Sequence, residues 1–171
     1  MVAALELYLD TVATRRIRVL WDALEAEGVQ SMRSLLEQRH RPHVSLAVAP
    51  RFDPQQVAAA LAGTTVAAPL RLSFQYAGQF VGRVLWLGLV PTVELLEHHR
   101  RVHDRLAAAG IALTEHYRPG TWVPHCTLSM RVPNTLMASA IRRCLEILPL
   151  DATITTAALT DHARNISHPL P

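Results

Sequence analysis

The stretch Pro42-His43-Val44-Ser45-Leu46 recurs in the same chain as Pro124-His125-Cys126-Thr127-Leu128, with the two histidines 82 positions apart (125 minus 43). A pattern of this form is expected by chance only about 0.01 times in a chain of this size, so a pair indicates a common origin. Side chains alternate across a strand, so each copy places its histidine and its hydroxyl residue on one face and its apolar residues on the other. The doublet predicts a duplicated fold with two histidines facing inward.

Secondary-structure signals on either side of the doublet repeat in the same order. Each half reads as strand, helix, strand, helix and strand, with predicted ranges of 5–10, 11–27, 44–49, 53–62 and 70–77, then 83–90, 92–109, 123–130, 134–148 and 151–159. An ungapped shift of 82 also places Leu5 on Leu87 and Gly28 on Gly110. We expect one domain over 1–171, built from pseudo-symmetric lobes of about 1–80 and 81–160. The predicted lobe boundary is the link Ala77–Gly82, and 161–171 is expected to be a loosely ordered tail.

Size and composition favour a folded cytoplasmic protein. The chain has 171 residues, of which 50% are hydrophobic and 18% charged. Its first residues lack the basic region of a secretory signal, and its longest apolar run, 84–91, is far shorter than the roughly 20 residues that span a bilayer. Two cysteines are too few for a disulfide scaffold and indicate a reducing compartment. No membrane association and no obligate protein partner are predicted.

The basic residues limit the chemistry. All 17 are arginine, and the net charge is +3 with the nine histidines neutral. Without lysine the chain forms no lysyl-nucleotide adduct, no Schiff base and no P-loop lysine contact. A modest positive charge that rises when histidines are protonated favours phosphate-bearing ligands.

The two motifs together indicate acid–base chemistry on a phosphate. If a pseudo-two-fold axis brings the polar faces together, two imidazoles and two hydroxyls converge on one cleft. One histidine can be neutral while the other is protonated near neutral pH, as proton transfer to and from phosphate oxygens requires. The hydroxyls of Ser45 and Thr127 can donate hydrogen bonds to non-bridging oxygens. His43 and His125 are therefore the candidate catalytic pair.

The paired motifs resemble those of the 2H phosphoesterase superfamily, and within it the bacterial RNA 2′,3′-cyclic phosphodiesterases, also called 2′-5′ RNA ligases. The resemblance extends from about Leu5 to Leu159. It implies an α+β bilobal fold with two antiparallel sheets around a central cleft and helices on the outer faces. It also implies metal-free chemistry without a cofactor, in which His43 and His125 act on a 2′,3′-cyclic phosphate at an RNA end or in a small cyclic nucleotide, with reversible 2′-5′ ligation as a related activity. One histidine activates water and the other protonates the leaving oxygen, and the assignment stays open.

Other candidate substrate-binding residues flank the motifs. Arg41, Tyr117, Arg118 and Trp122 lie in predicted loops, where an aromatic ring can stack on a base and a guanidinium can contact phosphate. Arg131 follows His125 by six positions, an even spacing that directs it to the histidine face if the strand extends that far.

Alternative functions also stay open at this point. A non-catalytic module that binds an RNA end or nucleotide would need the same groove. His98, His99 and His103 suggest a metal hydrolase, since His99 and His103 are one helical turn apart. No clear carboxylate or third ligand accompanies them, so we expect these histidines on a solvated helix face. Cys126 faces away from the histidines, so we expect Cys126 and Cys144 to be buried packing residues.

Overall fold

The structure, a computed structural model, describes residues 3–35, 40–164 and 166–170. Within these ranges the strands are β1 Ala3–Leu9, β2 His43–Ala49, β3 Arg71–Phe80, β4 Val84–Leu89, β5 His125–Ser129, β6 Leu150–Asp161 and β7 Ile166–Leu170. The α-helices are α1 Thr11–Ala26, α2 Pro54–Ala60, α3 Val93–Ala108 and α4 Met137–Leu145. Short 3-10 turns cover Glu115–Tyr117 and Asn134–Leu136. None of the helices in these ranges is long and apolar enough to cross a membrane.

The strands form one antiparallel sheet in the order β2-β1-β6-β3-β4-β5, with β7 also paired to β6. The two motif strands, β2 and β5, stand at the ends of this order, yet they lie against each other. The Trp122 indole N–H, just before β5, donates to the Ser45 carbonyl oxygen on β2 at 3.1 Å. The sheet therefore curves until its two ends meet, and this curvature brings the two copies of the motif together.

The predicted α+β fold class with antiparallel strands is confirmed, in one continuous sheet, but the strand pairing differs from the predicted halves. β3, expected to close the first half, pairs with β4 and with the first residues of β6. The predicted boundary link Ala77–Gly82 is instead the end of β3 and its turn into β4, where Gly82 and Arg83 adopt φ of 90° and 71°. β6 is long enough to pair with β3 at one end and with β1 at the other, so it joins the two halves.

The expectation of a loosely ordered tail over 161–171 is wrong for the described residues. β7 pairs with β6, from Ala157 opposite Leu170 to Asp161 opposite Ile166. The physical reason is a free strand edge: β3 pairs only with β6 residues Leu150 to Thr153, so the rest of that edge is open. A backbone edge needs hydrogen-bond partners, and the end of the chain supplies them.

The core follows the predicted alternation in the motif strands and departs from it in two other elements. In β2 and β5 the motif residues His43, Ser45, His125 and Thr127 are partly exposed, whereas the residues between and after them are buried. β1 alternates apolar and polar residues from Leu5 to Leu9 but is buried along its whole length, because its polar side chains also lie inside the protein. On α4, Leu145 lies at helical spacing from Ile141 but is 52% exposed, and Ala140 and Cys144 are the buried residues.

The two halves match in a register that the ungapped shift of 82 does not reproduce. On β1 and β2, the Cα partners are Tyr8 with His43 and Glu6 with Ser45. On β4 and β5, they are Gly88 with His125 and Trp86 with Thr127. Relative to the motif histidines, Glu6 and Trp86 are thus equivalent positions, at an offset of 80 (86 minus 6).

Candidate functional site

His43 and His125 are held in the same way, each at the start of its strand. The ring Nδ1 of His43 lies 2.8 Å from the carbonyl oxygen of Arg41, and that of His125 lies 2.7 Å from the carbonyl oxygen of Val123. A carbonyl oxygen can only accept a hydrogen bond, so each Nδ1 carries a proton and is the hydrogen-bond donor. In the neutral imidazole Nε2 is then the nitrogen that can take up a proton, and both rings present the same atom for acid–base chemistry.

His125 lies among aromatic rings. Phe80, at the end of β3, packs edge-on against it with ring centroids 4.8 Å apart, and Trp86 lies 5.9 Å away. Burial lowers the pKa of His125, opposed by the hydrogen bond to Val123 and reinforced by the charge of His43. This environment favours a neutral imidazole at His125.

His43 lies instead beside a buried carboxylate. Oε1 of Glu6 is 3.4 Å from Nε2 of His43 and 2.6 Å from Nε2 of His162. Oε2 of Glu6 accepts a hydrogen bond from the Tyr8 hydroxyl at 2.8 Å, and Glu6 is only 1% exposed. Burial would raise the pKa of Glu6, but the charge of His43 and the hydrogen bond and charge of His162 lower it to about 2. Glu6 is therefore an anion at neutral pH, next to one catalytic candidate and not the other.

Two further side chains complete this cluster. The His40 ring lies 5.0 Å from that of His43 and 4.7 Å from that of His162, and burial, with the charges of these two histidines, lowers the pKa of His40 to about 3. The guanidinium of Arg41 lies over the Tyr8 ring at 4.2 Å. Arg41, Tyr8 and His162 line part of a cavity of about 380 Å³ bordered by β6 and β7.

The motif hydroxyls lie where the sequence predicts. Ser45 and Thr127 are partly exposed on the same face as the histidines. Tyr117 is also near, because the short turn Glu115–Tyr117 packs against β2, and burial raises the pKa of its hydroxyl. The structure thus groups Ser45 and Tyr117 beside the first motif strand.

Three predicted binding residues show no contact with the motif side chains within the part of the chain that the structure describes. Trp122 is 8% exposed, its indole donates to Ser45 and its ring stacks on His99 at 4.0 Å, so it packs inside the protein and is not available to a base. Arg118 is exposed and forms an ion pair with Glu115 at 3.0 Å. Arg131 is exposed beyond the end of β5 at Ser129, so the strand alternation that was to direct it to the histidines does not reach it.

The histidines of α3 are buried, contrary to the predicted solvated face. His98 and His99 are each 2% exposed and His103 is 9% exposed. His98 hydrogen-bonds the Val66 carbonyl oxygen and His99 that of Tyr117, both at 3.0 Å, so these rings link α3 to neighbouring loops. Among the described residues no group of three His, Cys, Asp or Glu side chains is arranged to hold a metal ion.

The two cysteines are packing residues, as predicted. Cys126 and Cys144 are 1% and 0% exposed and neither is in a disulfide. Burial raises the pKa of each thiol to about 12. A buried, protonated thiol is a poor nucleophile, so these cysteines contribute volume to the core.

The sequence did not identify four residues that the structure places around the two histidines: Glu6, Tyr8, His162 and Phe80. The signal for the first two was present, because Glu6 and Tyr8 alternate with leucines on β1, but alternation alone does not distinguish solvent from a polar interior. His162 reaches Glu6 across 156 positions of sequence and Phe80 reaches His125 through the β3–β4 hairpin. Contacts of this kind depend on strand pairing, which local patterns do not specify.

Comparisons with known proteins identify the family and the fold of the chain. The family model of the 2′-5′ RNA ligase superfamily matches residues 16–166. Crystal structures of E. coli LigT complexed with NADP+ and with 3′-AMP superpose on 99% of this chain and 94% of their own, with TM-scores of 0.62 and 0.63 at 21% identity. A crystal structure of a phosphoesterase gives a TM-score of 0.65 at 20% identity over the same shares. The search of curated proteins found no match. The solved structures share the fold, and the match to the family model covers most of the sequence: the chain belongs to the 2′-5′ RNA ligase superfamily of 2H phosphoesterases.

Proposed function

We propose that this protein is a metal-independent phosphoesterase that hydrolyses 2′,3′-cyclic phosphates at RNA ends or in small nucleotides. The observation that carries the proposal is the matched pair of imidazoles, His43 and His125, each fixed through Nδ1 on one of two adjoining strands. Membership of the superfamily supports an enzyme of this general class. The two buried, unpaired cysteines are consistent with a cytoplasmic location.

We assign His125 as the base and His43 as the acid. His125 is the imidazole that burial keeps neutral, so its Nε2 can accept a proton from water. His43 lies beside the anionic Glu6, an arrangement that suits an imidazolium whose Nε2 carries a proton.

Hydrolysis moves two protons, one at each of the two histidines. Nε2 of His125 removes a proton from water as the water oxygen bonds to phosphorus. The bond from phosphorus to the 2′- or 3′-oxygen breaks, and that oxygen takes the proton of His43 Nε2. The product is a phosphomonoester with a free hydroxyl, and proton exchange with solvent restores both histidines. Ser45 and Thr127 donate hydrogen bonds to the non-bridging oxygens as negative charge increases.

The roles proposed for the flanking residues follow their positions. Arg41 is exposed beside Tyr8 and close to His43, so its guanidinium can contact a substrate phosphate. Tyr117, beside Ser45, is positioned to contact the substrate on the same side.

The test is turnover of a 2′,3′-cyclic nucleotide in the presence of EDTA. We expect His43→Ala and His125→Ala each to lower kcat by about 10²–10⁴-fold, the usual contribution of a general acid or base, and EDTA to have no effect. His168→Ala is the matched control, because His168 is an exposed histidine on β7 outside the proposed machinery, and it should keep wild-type activity.

The outcomes separate the alternatives. Saturable binding of the cyclic nucleotide without product would favour a binding module that lacks turnover. Activity that EDTA abolishes and a divalent metal restores would favour a metal hydrolase. Wild-type activity in either alanine variant of the motif histidines would refute the proposal.

A further inference from the structure

Among the neighbours in which the two candidate catalytic histidines differ, Glu6 beside His43 is buried and charged. Glu6 and Trp86 occupy equivalent positions on β1 and β4, so the first half places a carboxylate where the second places an indole. A buried carboxylate is costly to maintain unless protonated or hydrogen-bonded partners satisfy it. The presence of Glu6 beside His43 alone therefore calls for a role that only one of the two histidines needs.

The carboxylate is held by contacts from several parts of the chain. His162, in the turn that follows β6, contacts Oε1 of Glu6 at 2.6 Å, and Tyr8 donates to Oε2 at 2.8 Å. The Tyr8 hydroxyl lies in turn 3.2 Å from Oγ1 of Thr160 on β6. Glu6 is thereby fixed from β1 and from the end of β6 before any substrate binds.

Charge and distance show that Glu6 can stabilise a positive charge on the neighbouring histidines. Burial opposes protonation of His162, yet the hydrogen bond and charge of Glu6, with the charge of Asp161, raise its pKa. A carboxylate that accepts from His162 and Tyr8 keeps its negative charge, and Nε2 of His43 lies 3.4 Å from it. Among the described residues, the titratable side chains within reach of the Glu6 carboxylate are Tyr8, His43 and His162, and His40 packs against the rings of the two histidines.

We propose that Glu6 and His162 are positioning residues that make His43 the proton donor, with Glu6 holding the protonated ring of His43 and His162 holding Glu6. This inference rests on the proposed function, because it assigns an acid to the reaction proposed above. It also gives the segment after β6 a part in the site, since His162 reaches the cluster from that segment. In the second half Trp86 occupies the position equivalent to Glu6, in keeping with His125 as the base.

The kinetic test compares two leaving groups. In a 2′,3′-cyclic phosphorothiolate, sulfur replaces the leaving bridging oxygen, and a thiolate departs without a proton because a thiol is far more acidic than an alcohol. On the oxygen substrate we expect Glu6→Gln to lower kcat by about 10–100-fold with KM unchanged, part of what an acid contributes. On the sulfur substrate, Glu6→Gln and His43→Ala should come within about threefold of wild type, whereas His125→Ala should stay impaired.

Controls separate positioning from folding. His162→Gln removes the contact to Glu6 at a side chain that is 29% exposed. It therefore tests the roles of Glu6 and His162 even if Glu6→Gln does not fold. Its kcat on the sulfur substrate should return towards wild type, as expected for Glu6→Gln. Glu25→Gln is the matched carboxylate control: Glu25 accepts from Ser31 at 2.6 Å outside this cluster, and its kinetics should match wild type. Equal losses of Glu6→Gln and His162→Gln on both substrates would indicate a merely structural role and overturn the inference.

A second measurement is independent of turnover. The imidazole proton signals of His162, followed by NMR against pH, should show its pKa falling in Glu6→Gln and unchanged in Glu25→Gln. An unchanged His162 titration in Glu6→Gln would contradict the inference even for an inactive protein. Absence of wild-type turnover together with the expected His162 shift would instead refute the proposed function and leave the contact between the two side chains established.

Discussion

His43 and His125 have the same place in their strands and the same Nδ1 hydrogen bond, but they differ in what surrounds the ring. Glu6 beside His43 and the aromatic pair of Phe80 and Trp86 beside His125 make the site asymmetric. Concerted acid–base catalysis needs such a difference, since two identical imidazoles would favour the same protonation state. Glu6 and Trp86, one pair of equivalent strand positions outside either motif, contribute to this asymmetry, and Phe80 of β3 adds to it.

The lowered pKa of His125 predicts where activity is lost on the acid side of the pH–rate profile. Burial lowers this pKa from the usual 6.5, and the base must be neutral to accept a proton. Activity should therefore be retained above that pKa and lost as the pH falls through it, so the half-maximal point of kcat/KM on the acid side lies below pH 6.5. A half-maximal point above pH 6.5 in the free enzyme would contradict the assignment of His125.

Among the elements, the β3–β4 hairpin does most to shape the surroundings of His125. β3 brings Phe80 to the ring, and Gly78 lies opposite Trp86, where the indole covers the glycine backbone. A Cβ at Gly78 would meet ring atoms of Trp86 at 2.6 and 2.7 Å. The close approach of sheet and indole thus requires glycine at this position.

Gly78→Ala should therefore destabilise the fold and move Trp86. We expect a loss of about 1–3 kcal/mol in the free energy of unfolding, typical of overpacking, together with a decrease in kcat. Urea unfolding of Gly78→Ala, Trp86→Phe and the double variant measures it. Phenylalanine lacks the indole atoms that the new Cβ would meet, so the alanine substitution should cost less in the Trp86→Phe background. An equal cost in both backgrounds would show that contact with Trp86 is not the reason for glycine.

For the molecule as a whole, the doublet allowed the fold class, the order of elements and the inward direction of His43 and His125 to be predicted. These follow from local alternation and from a pattern repeated within the chain. The path of β6 between β1 and β3, and the β7 pairing that orders the end of the chain, could not be predicted because they depend on which strand edges stay open after folding. The burial of Glu6 depends on the same contacts.

The buried ionisable groups predict how global stability depends on pH. Burial and the charges of His43 and His162 lower the pKa of His40 to about 3, so as the pH falls from 6.5 only the unfolded chain takes up that proton. Glu6, with a pKa of about 2 in the folded protein against 4.5, adds a stabilisation that is present above pH 4.5 and lost as the pH falls towards 2. Stability should thus decline from pH 6.5 downward and more steeply below 4.5, with each group contributing up to about 1.4 kcal/mol per pH unit.

Urea unfolding at a series of pH values checks this dependence. His40→Phe keeps an aromatic ring in the cluster and removes one of the groups that bind protons only when unfolded. It should reduce the slope between pH 6.5 and 4.5 by up to about 1.4 kcal/mol per pH unit. A wild-type protein whose stability stays constant from pH 6.5 to 4.5 would contradict the buried, neutral state of His40.

A crystal structure obtained without metal in the presence of inorganic phosphate tests directly whether His43 and His125 act on one phosphoryl group. We predict a single anion within about 3.2 Å of Nε2 of both histidines and in reach of the Ser45 and Thr127 hydroxyls. A phosphate bound at only one histidine, or two Nε2 atoms too far apart to contact one anion, would contradict it.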